Sequence, residues 1–190
     1  MPLFQTLTRH PELVERSAIP RQVEIPPTDR RHYITGIYAL NVHAPDGSDT
    51  SGDWHDVFHW RDGLDHPAEV WVAGHEPNSD TNAIYGDMGV YEGKDRLSGL
   101  EIDPNIQEVW IADHFRAILD MLYRSLKRYD QVHGLRGATE DWLDTPEQKE
   151  FLLAQAARLS DWLTPAQQAA LKTWIDYERR NDGSRGGDGR

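Results

Sequence analysis

The chain contains no cysteine and no long run of apolar residues. Without cysteine, the protein can form no disulfide, no thiolate metal site and no cysteine nucleophile. A helix that spans a bilayer needs about 20 apolar residues, and no segment of the sequence approaches that length. The first residues also lack the apolar stretch of a secretory signal, so we expect a cytoplasmic protein that does not enter the membrane.

Basic residues are scarce as well. The chain has 20 Lys and Arg against 32 Asp and Glu, which gives a formal net charge of −12. General binding to nucleic acid depends on clustered cations that displace counterions from phosphates, so this composition argues against it. The excess of carboxylates suits a basic protein partner, or it simply keeps the molecule dispersed in solution.

The common nucleotide-binding and hydrolase motifs are missing too. The sequence contains no G-x-S-x-G, no G-x-x-x-x-G-K-[ST] and no G-x-G-x-x-G. An acyl hydrolase, a P-loop enzyme and a dinucleotide-binding fold therefore lose support, and we expect no cofactor.

Aromatic residues, by contrast, are plentiful enough for a folded core. The 190 residues include seven Trp and seven Tyr, and this length fits one domain. Residues 1–31 are interrupted by prolines and are predicted to form an N-terminal arm, ahead of a single domain over residues 32–180. Residues 181–190 contain four glycines and no apolar residue, so they are predicted to form a flexible tail.

The strongest periodicity predicts one long helix over residues 104–129. Asp103 would cap this helix and Pro104 would occupy its first turn. The charged stripe is predicted to face solvent, with Arg116, Asp120 and Arg124 forming i,i+4 ion pairs. The opposite stripe is apolar and is predicted to face the core: Ile111, Phe115, Ile118, Leu119, Leu122 and Leu126.

Strands are predicted upstream of this helix and two further helices downstream. Residues 32–42, 68–73 and 82–91 are rich in β-branched and aromatic residues, as strands are, and residues 54–60 fit a strand or a helix, with the strand favoured. Thr145 and Thr164 each precede a proline and lie three residues before a glutamine, which is the spacing of a capping box. The sequence therefore predicts an α+β fold, with a small, mainly antiparallel sheet (residues 32–100), one long helix packed on it and two C-terminal helices (helical region 104–180).

Residues 52–60 hold the densest group of functional side chains. Asp53, Trp54, His55 and Trp60 are the candidate binding residues in this segment. His55 and His59 could share a metal ion only on a helix, because on a strand they would lie about 13 Å apart. With Asp87 as a third ligand they would form the site of a metal-assisted hydrolase, while histidines of a structural polar network are the alternative interpretation.

Three more candidates lie outside that segment. Asp87 sits between two glycines in a strand-like run, which indicates a bulge or a close approach to the backbone. Trp110 lies off the apolar stripe and needs a second apolar contact, from the same domain or from a partner. His114 lies on the flank of the predicted helix, as a satisfied boundary histidine or as a functional one.

Three segments of the chain, residues 33–41, 52–55 and 111–120, resemble a poorly characterised bacterial family. Its members occur in toxin–antitoxin-like or mobile-element loci, sometimes beside nucleotidyltransferase-type toxins. The similarity covers residues 30–129 and includes no motif that is diagnostic of a reaction. It implies an antitoxin-like or accessory role and assigns no catalytic residue.

The sequence thus favours a binding protein over an enzyme. We expect an acidic interaction protein, such as an antitoxin that neutralises a partner protein by direct binding. The alternatives are the metal-assisted hydrolase and a structural role for the helical third of the chain. A homo-oligomer is left open.

Overall fold

The computed structural model describes residues 21–23, 25–45, 70–75, 80–99, 102–104 and 107–180. Four short strands and seven α-helices, with one 3-10 helix at Arg158–Trp162, are assigned within this part of the chain. The strands are β1 (Arg21–Val23), β2 (Val90–Glu92), β3 (Ile102–Pro104) and β4 (Trp110–Ala112). The helices are α1 (Ile37–Leu40), α2 (Asn82–Tyr85), α3 (Lys94–Gly99), α4 (His114–Tyr129), α5 (Ala138–Trp142), α6 (Pro146–Ala157) and α7 (Pro165–Arg180).

The strands form two small two-stranded sheets. β2 pairs with β4 in the antiparallel sense, and β1 pairs with β3 in the parallel sense. Ile34 adds single bridges to Val72 and to Ile111. The long helix α4 packs on β4, and α6 and α7 pack on α4. The predicted α+β class is confirmed.

The long helix begins ten residues later than predicted. Residues 102–104 and 110–112 are extended and pair with β1 and β2, so the predicted helical region 104–180 begins with strand residues. The observed cap of α4 is Asp113, whose side chain accepts a hydrogen bond from the backbone N–H of Arg116 at 2.7 Å. Asp103 and Pro104 carry a helix-start signature, but pairing with a distant strand prevails over it.

The predicted strands over 32–42 and 82–91 are mostly wrong. In the first segment only Ile34 makes strand-like bridges, and α1 follows. In the second, α2 occupies the first half and only Val90–Glu92 is a strand. Tyr33, Ile34 and Leu40 are almost completely buried. The β-branched and aromatic residues of these segments are therefore core residues, but most of their backbone is not extended.

The end of the predicted N-terminal arm belongs to the folded domain. β1 pairs with β3, and Ile25 is buried in the core. The hydroxyl of Thr28 donates to the backbone C=O of Glu108 at 3.3 Å and accepts from the N–H of Trp110 at 3.0 Å. The predicted boundary after residue 31 therefore does not separate these residues from the domain.

The two C-terminal helices begin where the capping boxes predicted. Thr145 and Gln148 exchange side-chain to backbone hydrogen bonds at the start of α6. Thr164 and Gln167 do the same at the start of α7. Across the described ranges, no helix is both long and apolar enough to cross a lipid bilayer.

Candidate functional site

A buried ion pair lies on α4, on the stripe that was predicted to face solvent. Arg116 and Asp120 both have 0% exposed side chains, and the guanidinium Nε donates to the carboxylate at 3.2 Å. The i,i+4 pairing of these two residues was predicted correctly, but its exposure to solvent was wrong. A charged pair removed from water needs further hydrogen bonds to offset its lost hydration.

Hydroxyl groups supply those hydrogen bonds to Asp120. The carboxylate accepts from Tyr33 at 2.9 Å, from Thr35 at 2.8 Å and from the hydroxyl of Thr81. Burial raises the pKa of Asp120, whereas Arg116 and the hydroxyls oppose that rise. Burial and the neighbouring carboxylate also raise the pKa of Tyr33 far above that of an ordinary phenol.

The guanidinium of Arg116 fixes the turn that follows α2. It donates to the backbone C=O groups of Gly86 and Met88, each at 3.1 Å, and to the side-chain oxygen of Asn82 at 3.1 Å. The hydroxyl of Tyr33 accepts another hydrogen bond from its Nε at 2.8 Å. Burial lowers the pKa of Arg116, but the neighbouring carboxylate and phenol raise it more, so the group stays charged. This network positions residues 82–88 from inside the core.

A polar cleft of about 470 Å³ opens above the ion pair. Asn82 joins the two sites, because its side-chain amide also donates to the C=O of Arg31 at 3.0 Å. Asp87, one of the predicted site residues, is 63% exposed at the cleft and pairs with Arg30 at 3.3 Å. The cleft is lined by Arg31, His32, Gly74, Asp80, Asn82, Ala83, Gly86 and Asp87.

His32 was not predicted as a site residue, although it lines this cleft. Its Nδ1 lies 3.0 Å from the carboxylate of Asp29, and its ring stacks on His75 with centroids 4.8 Å apart. The hydrogen bond with His32 lowers the pKa of Asp29. The signal in the sequence was an Asp three residues before a His, a spacing that is common in turns. Among the residues the structure describes, no group of three His, Asp or Glu is placed to hold a metal ion.

The structure brings two of the predicted site residues, Asp87 and Trp110, together at Arg30. It places His114 elsewhere. The guanidinium of Arg30 stacks 4.9 Å over the ring of Trp110 while it pairs with Asp87. His114 is fully buried at the start of α4 and meets the ring of Trp142 edge-on at 6.2 Å. The remaining predicted site residues, Asp53, Trp54, His55, His59 and Trp60, lie outside the described residues.

Exposed carboxylates lie beside an aromatic residue on α6. Phe151 is 42% exposed and meets the ring of Phe115 edge-on at 5.0 Å. Glu147 and Glu150 share the exposed stripe of α6 with it, and Glu140 and Asp141 are exposed on the preceding helix. Within the described ranges, none of these four carboxylates forms an ion pair. We call this surface the acidic face: Glu140, Asp141, Trp142, Glu147, Glu150 and Phe151.

Within the described residues, the acidic face has no exposed cation of its own. Lys149 is the only basic residue between positions 140 and 151, and it is buried with 8% of its surface exposed. Arg158, at the end of α6, donates to the C=O of Ile84 at 2.6 Å and stacks over Tyr85, so it is turned toward the domain. The field above the acidic face is therefore negative, and a cationic surface would complement it.

No protein family, no curated protein and no solved structure matches this chain.

Proposed function

We propose that this protein is a cytoplasmic interaction protein that binds a basic partner through the acidic face, in the manner of an antitoxin that neutralises its toxin by direct contact. The observation that carries this proposal is a group of four exposed carboxylates on α5 and α6 that form no ion pair within the described residues, two of which, Glu147 and Glu150, share the exposed stripe of Phe151. The resemblance of residues 33–41, 52–55 and 111–120 to a toxin–antitoxin-associated family supports the same role.

The physical chemistry of the acidic face favours a protein partner. A ring that becomes buried on binding supplies apolar contact at the centre of an interface, and surrounding charges set orientation and partner choice. Unpaired carboxylates lose no existing ion pair when a Lys or Arg of the partner approaches. They also accelerate encounter with a basic surface, and this acceleration falls as salt rises.

Co-expression with the product of the adjacent gene tests the proposal. If that product is toxic, the chain should restore growth and co-purify with it in a fixed ratio. The double variant Glu147→Lys, Glu150→Lys should abolish both the growth rescue and the co-purification. It replaces two carboxylates with two ammonium groups and so makes the acidic face more positive by four charges. Phe151→Ala should weaken co-purification without changing the charge.

A matched variant controls for the charge change itself. Asp95→Lys with Glu108→Lys makes the same change at two exposed carboxylates outside the acidic face. This variant should rescue growth as the wild type does, and all variants should keep the wild-type melting temperature. Equal rescue by both double variants would overturn the proposal.

The metal-assisted hydrolase stays a prediction. Its ligands His55 and His59 lie outside the described residues, and its third ligand, Asp87, is held by Arg30. Metal analysis of protein purified without a polyhistidine tag decides it, because a hydrolase of this type needs stoichiometric metal.

A further inference from the structure

Two adjoining pockets at the carboxyl end of α4 are built from guanidinium groups stacked on aromatic rings. In the first, of about 210 Å³, Arg124 lies 4.5 Å over Trp71 and Arg128 lies 5.3 Å over Tyr129. In the second, of about 340 Å³, Arg136 lies over the ring of a further tyrosine. The loop after α4 contributes to each pocket: residues 133 and 135 line the first, and residues 131, 132 and 136 line the second. We call the stacked cations and rings of the two pockets the basic aromatic surface: Trp71, Arg124, Arg128, Tyr129, Arg136 and Tyr177.

The cations of this surface have no anionic partner within the described chain. Neither pocket is lined by an acidic residue. Arg124, Arg128 and Arg136 take part in none of the ion pairs of the described residues. Stacking leaves the N–H groups at the edge of each guanidinium free to donate to an anion.

Three carboxylates on neighbouring elements are already engaged. Asp130 accepts from the side-chain amide of Gln167 at 2.8 Å, and Asp176 pairs with Lys172 at 2.7 Å. Glu178 is fully buried and accepts from residues 137 and 139. The partners of these three carboxylates do not include Arg124, Arg128 or Arg136.

Stabilisation of the helix end accounts for only part of this arrangement. Cations in the last turn of a helix offset the partial negative charge of its free C=O groups, which explains the position of Arg128. It does not explain Arg136, which lies beyond α4, or the stacking of Arg124 on Trp71. Nor does it explain why the ring of Tyr129 is 50% exposed beside these charges.

We propose that the basic aromatic surface binds single-stranded nucleic acid. Exposed rings stack on bases, and guanidiniums between them pair with phosphates, which is the usual chemistry of single-strand recognition. Each pocket combines a planar ring with a guanidinium, which fits a ligand that carries both planar rings and anionic groups. A lone phosphate would use the cations but not the rings.

The carboxylates beside Phe151 do not oppose this proposal at physiological salt. Phe115, which contacts Phe151, and Arg128 are separated by 13 positions of α4, or about 20 Å of helix at 1.5 Å per residue. This distance exceeds the screening length of about 8 Å at physiological ionic strength. Glu147 and Glu150 therefore add little repulsion around Arg128, whereas Glu140 follows Arg136 by only four positions.

Fluorescence anisotropy with labelled oligothymidylate and oligouridylate of about eight nucleotides tests the proposal on the full chain. We expect binding at low salt, with log K falling by about 0.7 per neutralised phosphate for each tenfold rise in salt. Arg124→Gln with Arg128→Gln should weaken binding by about tenfold or more. Tyr129→Ala should weaken it by a similar factor and leave the salt slope unchanged, since it removes a ring and no charge.

The control removes the same charge elsewhere. Arg31→Gln with Arg96→Gln also neutralises two exposed arginines, outside the basic aromatic surface, and should leave the affinity within about twofold of wild type. The proposal is overturned if the two double variants weaken binding equally or if no binding occurs at low salt. Inorganic phosphate, AMP or a duplex of the same length competing as well as the single strand would also overturn it.

Discussion

Asp120 accepts four hydrogen bonds in the core of the protein, and their donors come from three parts of the chain. Arg116 lies one turn away on α4, whereas the hydroxyls of Tyr33, Thr35 and Thr81 lie 87, 85 and 39 positions away. A buried carboxylate with this many donors is strongly held, but only while every donor stays in place. The network therefore ties residues 33–35 and 81–88 to the long helix.

The burial of this network could not have been predicted from α4 alone. An i,i+4 Arg and Asp pair has the same pattern in the sequence whether it faces water or the core. The distinction depends on the hydroxyl donors, which are far away in the sequence and become neighbours only in the folded chain. The predicted pairing of Arg116 with Asp120 was local and correct, whereas the predicted Asp120–Arg124 pair is not among the ion pairs of the described residues, and the buried environment was missed.

Asp120→Asn should destabilise the protein strongly. The substitution leaves the charge of Arg116 buried without its carboxylate, which costs about 3 to 5 kcal/mol in the free energy of unfolding. Thr35→Val removes one donor and keeps the pair, so it should cost about 1 to 3 kcal/mol. Urea denaturation followed by circular dichroism measures both. A loss below about 1 kcal/mol for Asp120→Asn would mean that Arg116 does not depend on this carboxylate.

Stability should fall in alkaline solution because of the buried tyrosines. Burial raises the pKa of Tyr33 and Tyr85 above the ordinary value of 10.0. Because the unfolded chain then loses these protons first, the stabilisation is complete below pH 10 and decreases as pH rises above it. Above pH 10, Tyr85→Phe should reduce the decrease in the free energy of unfolding by about 1.4 kcal/mol per pH unit. Urea denaturation at several pH values measures this dependence. If the dependence on pH is unchanged, Tyr85 does not contribute to it.

At the scale of elements, the sequence predicted correctly the helix starts that depend on local signals. It missed the helix start that depends on strand pairing. Thr145 and Thr164 meet their glutamines within one turn, so α6 and α7 begin where expected. Asp103 and Pro104 show a comparable local signal, but residues 102–104 pair with β1, about 80 positions away, and form a strand. The observed start of α4 depends on Asp113, whose backbone N–H donates to the C=O of Gly89, the residue before β2.

Gly89→Ala should disturb that start. Gly89 has a φ of 71°, and an added Cβ would lie 2.5 Å from the carboxylate of Asp113, which caps α4. We expect a loss of about 2 to 3 kcal/mol, from the left-handed backbone and from the displaced cap. Gly134→Ala is the matched control, because its φ is 70° and an added Cβ would meet nothing within 4 Å. Thermal denaturation of the two variants separates the two contributions, and equal losses would show that the cap is not displaced.

At the scale of the molecule, the charges are segregated along α4. The acidic face contacts its amino end through Phe115 and Phe151, and the basic aromatic surface lies at its carboxyl end around Arg124 and Arg128. Composition gives only the net charge of the whole chain. That sum does not reveal the smaller basic surface. The value of −12 argues against general nucleic-acid binding, whereas the proposed ligand would use only the cations at the carboxyl end of α4.

Glu147 and Glu150 should not affect the cations at the carboxyl end of α4 at physiological salt, and should affect them at low salt. The screening length is about 8 Å at 0.15 M salt and about 30 Å at 0.01 M, against about 20 Å along α4 between Phe115, which contacts Phe151, and Arg128. Glu147→Lys with Glu150→Lys should therefore leave oligonucleotide affinity unchanged at the higher salt and increase it at the lower one. Fluorescence anisotropy at the two ionic strengths measures this, with Asp95→Lys and Glu108→Lys as the control. Equal effects of the acidic-face variant at both ionic strengths would mean that it acts through the fold and not through the field across the molecule.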